Sequence, residues 1–319
     1  MAFYVRFILA LLASSTVARV SWAQVAPPDY VTEWGHGGFT CPGCFNSPEG
    51  LATDPSGNVY VTDTSNYRVQ KFTELGAFLT LWGSFGTGDG QFDCPQGIAV
   101  DATNNVYVSD VLNHRIQKFT ADGIFIAKWG SVGSGAGQFG LGPGDIAVGP
   151  NGNLYVVDPQ NGRIEVFTPD GGFLTEWSTL NSPWGVAVDG AGNVYVSEYR
   201  ATISVYSGSG QSLRTWPLFA NEPGQVQRAA GIALDGLGNL YVTDPDANRV
   251  QRFSTAGAFL TEWGSSGSAQ NQFHGPSAIS VHAGTRIYVL DVLNYRVQRF
   301  DYPVGIQRDT WSSVKRLYR

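Results

Sequence analysis

The sequence predicts an all-β fold, a six-bladed propeller of four-stranded antiparallel blades in which a strand from the N-terminus completes the last blade. Three observations lead there. The stretch VYVTDTSNYRVQKF at 59–72 returns with small changes at 106–119, 154–167, 240–253 and 287–300. The repeating unit starts at Gly50, Gly97, Asp145, Gly185, Gly231 and Ala278, 40 to 48 residues apart, which is the period of propeller blades. Forty glycines without a collagen period mean many tight reversals between short strands.

Taken in order, residues 1–23 read as a secretory leader: Arg6 precedes an apolar run at 7–13, and Ser21 and Ala23 are small residues where a signal peptidase cuts. The run is shorter than the roughly 20 apolar residues of a membrane span. A mature chain from Gln24, secreted or periplasmic and without an integral span, is the expectation. YVTEWG at 30–35 alternates like a strand but stands apart from any hairpin. Each copy then gives four strands, shown in the first by GLATD, VYVTD, RVQKF and AFLTLWG, separated by the turn PSGN, the polar tip TSNY and the turn TELG. Alternation within strands and Gly, Asn, Asp or Pro at reversals are what antiparallel hairpins require. Gly/Ser-rich connections such as 84–91 and 131–138 join the copies.

The sixth copy supplies only three strands, since RVQRF at 296–300 runs into Asp301-Tyr302-Pro303. An open last blade leaves sheet edges unpaired, and the isolated 30–35 strand fits the gap. Trp82, Trp129, Trp177, Trp216 and Trp263 end fourth strands, and Trp34 makes the sixth. The propeller is thus expected over 24–303. Beyond it, 304–319 reads as a short basic tail in which Asp309-Thr310 can cap a helix with Trp311, Val314 and Leu317 or Tyr318 on one face and Lys315, Arg316 and Arg319 elsewhere.

The chain is acidic: its net charge of −6 becomes −8 once Arg6 and Arg19 leave with the leader. Such a surface repels phosphate backbones, so nucleic acid is not an expected partner. Three cysteines, Cys41, Cys44 and Cys94, suit one bridge in an oxidising compartment. The expectation is a structural disulfide from Cys94 to Cys41 or Cys44. The C-x-x-C spacing of Cys41 and Cys44 is also that of a zinc knuckle or redox motif, but no second ligand pair follows at zinc spacing.

At this point the copies resemble NHL repeats. Blade two shows the family pattern as Pro95-Gln96-Gly97-Ile98-Ala99-Val100-Asp101, then Asn105-Val106-Tyr107-Val108-Ser109-Asp110, then Asn113-His114-Arg115-Ile116-Gln117-Lys118-Phe119. The resemblance covers about nine tenths of the mature chain and implies the same six-bladed ring. Blade four departs most, with Glu198-Tyr199-Arg200-Ala201-Thr202 giving a tip one residue shorter that loses the arginine.

Five pairs bracket hairpin tips: Asp63 with Arg68, Asp110 with Arg115, Asp158 with Arg163, Asp244 with Arg249 and Asp291 with Arg296. Repeated carboxylate–guanidinium pairs are read as a fold device. Residues at the start of each first strand face the channel mouth of a propeller, and just before or at that start Glu49, Gln96, Gly144-Asp145, Trp184, Ala230 and Ser277 differ between blades as a site does. Glu49 and Asp145 are candidate ligands for a cation such as calcium, with zinc as the other ion considered. Tyr67, His114, Trp184 and Tyr295 complete the candidate ligand-binding set, the rigid aromatics offering contact area at low entropic cost; His114 is read foremost as a surface tip residue.

Two enzyme classes on similar scaffolds are weighed. Zinc-dependent lyases acting on hydroxyglycine peptides imply several channel-facing histidines, which His36, His114, His274 and His282 do not provide. Lactonases of the gluconolactonase type imply an ion held by Glu, Asn and Asp; Glu49 matches the first in kind, while no Asn stands at the equivalent channel position of another blade. No nucleophile elbow, phosphate loop or Cys/His dyad appears. The reading is therefore a monomeric, non-catalytic binding module for a protein, peptide or envelope glycan, with a metal-dependent hydrolase or lyase as the alternative.

Overall fold

The computed structural model describes residues 25–199, 201–218 and 224–302. The leader and the basic tail fall outside the described residues, as does Arg200 of the blade-four tip. Six four-stranded antiparallel sheets are present. Blade one consists of Pro48–Thr53, Val59–Asp63, Arg68–Phe72 and Phe78–Trp82, hydrogen-bonded in that order. Blades two to five repeat the arrangement, and the first strands of neighbouring blades touch all round the centre, Pro276–His282 against Pro48–Thr53 included.

Blade six takes three strands from the C-terminal copy and its fourth, Asp29–Trp34, from the N-terminus. Trp34 pairs with Val297 and Tyr30 with Phe300, across one irregularity in register. Trp34 also repeats what the other tryptophans do at the next junction. Trp82 packs on Phe119 of the following blade with ring centroids 5.8 Å apart, and Trp34 packs on Phe72 at 6.1 Å. Its indole covers the blade-one turn at Gly76, where φ is +86° and any Cβ would strike the ring. Closure therefore uses the ordinary blade-to-blade contact.

The core lies between the sheets. Second strands such as Val59–Asp63 and Val106–Asp110 are buried at every residue, because each is flanked by strands on both sides and by a blade on each face. Fourth strands form the rim and expose residues such as Phe78 and Leu79. Three of the polar tips are single 3-10 turns, Thr64–Asn66, Val111–Asn113 and Val292–Asn294, each ended by a left-handed residue: Tyr67, His114 or Tyr295.

Register fixes which end of the ring carries variation. Pro48 pairs with Asp63, and Asp63 with Arg68. The start of the first strand, the tip and the connection entering the blade therefore share one face, while the turns after first and third strands lie on the other.

Candidate functional site

At the centre of the tip-bearing face, the first strands enclose a cavity of about 200 Å³. Glu49, Gln96, Asp145, Trp184 and Ser277 line it together, above walls of Leu51, Ile98, Ile146, Val186, Ile232 and Ile279. Ala230 does not belong to the lining. Trp184 is 58% exposed at the mouth. The Ser277 hydroxyl is buried without a hydrogen-bond partner.

Asp145 stands where four other blades have glycine, and the structure shows how blade three accommodates it. In blade one the Gly50 amide donates to Thr62 Oγ1 at 2.7 Å, and that hydroxyl donates to the Gln96 carbonyl of blade two at 2.7 Å. A Cβ on Gly50 would strike the same carbonyl oxygen. In blade three Val157 replaces the hydroxyl residue, and the Asp145 carboxylate makes the crossing instead, accepting from Ile146 N at 2.9 Å and from Val186 N of blade four at 3.0 Å. Burial outweighs these bonds and pushes its pKa up to about 6. Burial also raises the Glu49 carboxyl above its usual range. Both acids thus hold protons more readily than a surface carboxylate.

The tip pairs are buried clamps. Asp63–Arg68 and Asp110–Arg115 meet at 2.7 Å, Asp291–Arg296 at 2.9 Å, Asp158–Arg163 at 3.0 Å and Asp244–Arg249 at 3.5 Å. Each aspartate is fully enclosed. The free guanidinium nitrogens reach into the connection entering the blade: Arg115 donates to the carbonyls of Thr87, Gly88 and Gln91 at 2.7–2.9 Å. Hydrogen bonds to charged groups contribute about 1.5–3 kcal/mol each, so one arginine sets the path of a whole loop. Blade four holds its loop differently, with Glu198 accepting from Asn181 N at 3.0 Å and from Tyr206 Oη at 3.3 Å.

Tyr67, His114 and Tyr295 do not join the cavity. They share one place in blades one, two and six, and two of the rings lean on the next connection: Tyr67 meets Phe85 with centroids 4.9 Å apart, and the Tyr295 ring lies over Gly37. Among the described residues no histidine lines the cavity.

The cysteine pairing differs from the sequence expectation. Cys41 bonds to Cys44, with Cα atoms 5.3 Å apart, and Cys94 is a free thiol. The turn over Pro42-Gly43 brings the two loop cysteines together, whereas Cys94 lies beside the cavity with its sulfur 3.7 Å from Gln96 Nε2. Burial, with the nearby Glu49 charge adding to it, raises the Cys94 thiol above its ordinary range.

Large apolar side chains are exposed on the tip-bearing face beyond Trp184. Phe39, Phe85, Val132, Leu141 and Leu180 stand on connections, and Leu112, Tyr199 and Leu293 on tips, each more than half exposed. On the opposite face only Leu75, Ile124 and Leu237 reach that level among the described residues. Sequence reading missed this asymmetry because loop apolar residues carry no periodicity.

The NHL repeat family profile matches residues 45–72 and 92–119. No curated protein matches the sequence. Solved structures share the architecture at low identity. A virginiamycin B lyase from Staphylococcus aureus is 18% identical, with 79% of each chain covered and a TM-score of 0.57. A gluconolactonase from Xanthomonas campestris is 19% identical over 81% of this chain and 87% of its own, with a TM-score of 0.62. A Bacteroides thetaiotaomicron protein of unknown function is 15% identical over 86% and 73%, also at 0.62. At such identities the likeness speaks for the fold alone. Six copies of one motif, the matched profile and the closed ring together identify the chain as a member of the NHL-repeat family with a six-bladed β-propeller fold.

Proposed function

We propose that the chain is an exported, non-catalytic binding module that takes a protein, peptide or glycan ligand on its tip-bearing face, centred on the channel mouth. The carrying observation is the contrast between repetition and variation. Strand cores and arginine clamps recur from blade to blade, while Glu49, Gln96, Asp145, Trp184 and Ser277 differ and converge on one cavity. Apolar side chains gather on the same face. Exposed apolar area beside a concave site with a few convergent polar groups is the usual make-up of a recognition surface. Trp184 is the anchor, because a rigid aromatic at a pocket rim contributes most to such contacts.

The test is to pan a random peptide library and a glycan array against the 24–319 chain, counter-screening with Trp184→Ala and Glu49→Gln. Ligands whose binding falls at least tenfold in either variant support the reading. Ligands indifferent to both, or none at all, would set it aside.

A second reading, metal-dependent hydrolysis or elimination, draws on Glu49 and Asp145 sharing the cavity and on the gluconolactonase and lyase among the structural neighbours. The donor set suits a hard, oxygen-preferring cation and not zinc, since no nitrogen or thiolate ligand lines the cavity among the described residues. Such a cation would compete with protons, so calcium affinity should rise as pH climbs through about 6, the pKa of Asp145. Calorimetry with calcium that registers no heat at pH 5 or 8 would remove this reading.

A further inference from the structure

The connection entering blade one carries a grouping that the channel mouth does not explain. We propose that Cys41–Cys44 is a thiol–disulfide exchange centre for exposed protein dithiols, with Cys41 the sulfur attacked and His36 supporting Cys44 as the leaving thiolate.

The fold places this pair by analogy with its neighbours. Arg68 donates to the carbonyls of Cys41 at 3.0 Å and Cys44 at 2.9 Å, as Arg115 does to Gly88 and Gln91 in blade two. Cys41 and Cys44 therefore occupy the Gly88 and Gln91 positions. In blades two, three and six the glutamine side chain closes the loop, accepting from Gly88 N at 2.9 Å, Gly135 N at 3.0 Å and Ala269 N at 3.1 Å. Glutamine suffices for the architecture, and Arg68 with Gln70 already fixes the blade-one carbonyls. A covalent bond here is more than the loop requires.

The two sulfurs are also unequal. Cys41 is exposed and Cys44 is 1% exposed, so an incoming thiolate reaches one of them. His36 Nε2 lies 3.0 Å from Cys44 Sγ and 3.8 Å from Cys41 Sγ. An N–H there stabilises the buried thiolate as it leaves, and a stabilised leaving thiolate departs faster. A bridge three residues apart also restricts the unfolded chain little, and exposed bridges are the labile ones. Phe39, an inserted residue 72% exposed on the same loop, offers a partner segment an apolar contact.

The exchange balances without another reactant. A client thiolate attacks Cys41 Sγ, the Cys41–Cys44 bond breaks, and a client–Cys41 mixed disulfide forms while Cys44 leaves as the thiolate beside His36. The second client thiolate then attacks the client sulfur of that mixed disulfide, and Cys41 leaves. Two electrons pass from the client to the pair, the client gains its own disulfide, and the two client protons end on Cys41 and Cys44.

The experiment uses the 24–319 chain in a Cys94→Ser background with dithiothreitol as the probe dithiol, following alkylation by mass and folding by circular dichroism. The bond should be reduced while the chain stays folded. Cys44→Ser should trap glutathione on Cys41 when glutathione disulfide is added, Cys41→Ser should trap none, and His36→Ala should slow reduction about tenfold and change its pH profile. The double variant Cys41→Gly/Cys44→Gln, which restores the neighbouring loops' sequence, should fold normally. Reduction only as fast as the chain unfolds, preferential capture on Cys44, a rate indifferent to His36→Ala, or an unfolded double variant would each overturn the proposal in favour of a structural bond.

Discussion

Glu165→Gln is expected to stabilise the protein, and only at neutral to alkaline pH. Blades one, two, five and six have glutamine at this third-strand position. In blade two Gln117 Oε1 accepts from Gly90 N at 3.0 Å, while Nε2 donates to Gln91 O at 2.7 Å and to Asp110 at 3.0 Å. In blade three Glu165 Oε1 keeps the loop contact, from Gly137 N at 2.9 Å, and meets Arg163 at 3.0 Å. Its other oxygen is buried without a donor. Burial outweighs the arginine and pushes this carboxyl up to about 8 from an ordinary 4.5. The protonated acid imitates the glutamine, with its O–H in place of the amide N–H.

The sign follows from proton binding: between pH 4.5 and 8 the folded state holds a proton that the unfolded chain releases, so stability falls as pH rises through that window and levels off above it. At about 1.4 kcal/mol per pH unit the loss reaches up to about 3 kcal/mol by pH 7, of which about 2 kcal/mol is expected to be recovered by the substitution. At about 2 °C per kcal/mol for a chain this long, Glu165→Gln should raise Tm by about 4 °C at pH 8 and by under about 1 °C at pH 4.5. Thermal melts followed by circular dichroism at the two pH values measure this. An equal shift at both, or a loss at pH 8, would refute the protonated-acid argument.

Three further outcomes are expected. Trp34→Ala should cost about 3 kcal/mol, because the indole packs on Phe72 and Tyr288 across the closure; a urea midpoint within error of the parent would mean that the N-terminal strand contributes little. Asp110→Ala should cost about 3–5 kcal/mol, since it leaves Arg115, Gln117, Asn113 and the Asp93 amide without their shared acceptor; chemical denaturation showing under about 1 kcal/mol would contradict the clamp. Cys94 should react with iodoacetamide at pH 8 more slowly than a free thiol, its pKa being raised; a rate matching glutathione would show the thiol to be unperturbed.

Much of this arrangement is legible in the chain because a repeat constrains it six times over. The missing strand after Phe300 and the spare one ending at Trp34 announce the closure that pairs Trp34 with Val297. Glu49, Gln96 and Trp184 could be brought together from sequence because each leads a first strand at the residue before its glycine, and Asp145 because it takes that glycine's place; Ala230, at the leading position of blade five, stays out of the lining. Legibility stops where chemistry depends on the register between blades. Nothing local says that Asp145 reaches Val186 of the next blade, or that one Glu165 oxygen is left without a donor. The cysteine pairing escaped for a similar reason: Cys41 and Cys44 reveal their roles only when the inserted Phe39 is recognised and they fall on the Gly88 and Gln91 positions of the neighbouring loop.

The assignment of recognition to the tip-bearing face can be met with a single comparison. A photo-reactive amino acid is placed at Leu180, beside Trp184 in sequence and on the same face, in one chain and at Leu237, likewise more than half exposed on the opposite face, in another, and each is irradiated with the tightest ligand from the library screen. Covalent capture from position 180 and none from 237 is the expected result. Capture from 237 alone, or equally from both, would contradict it.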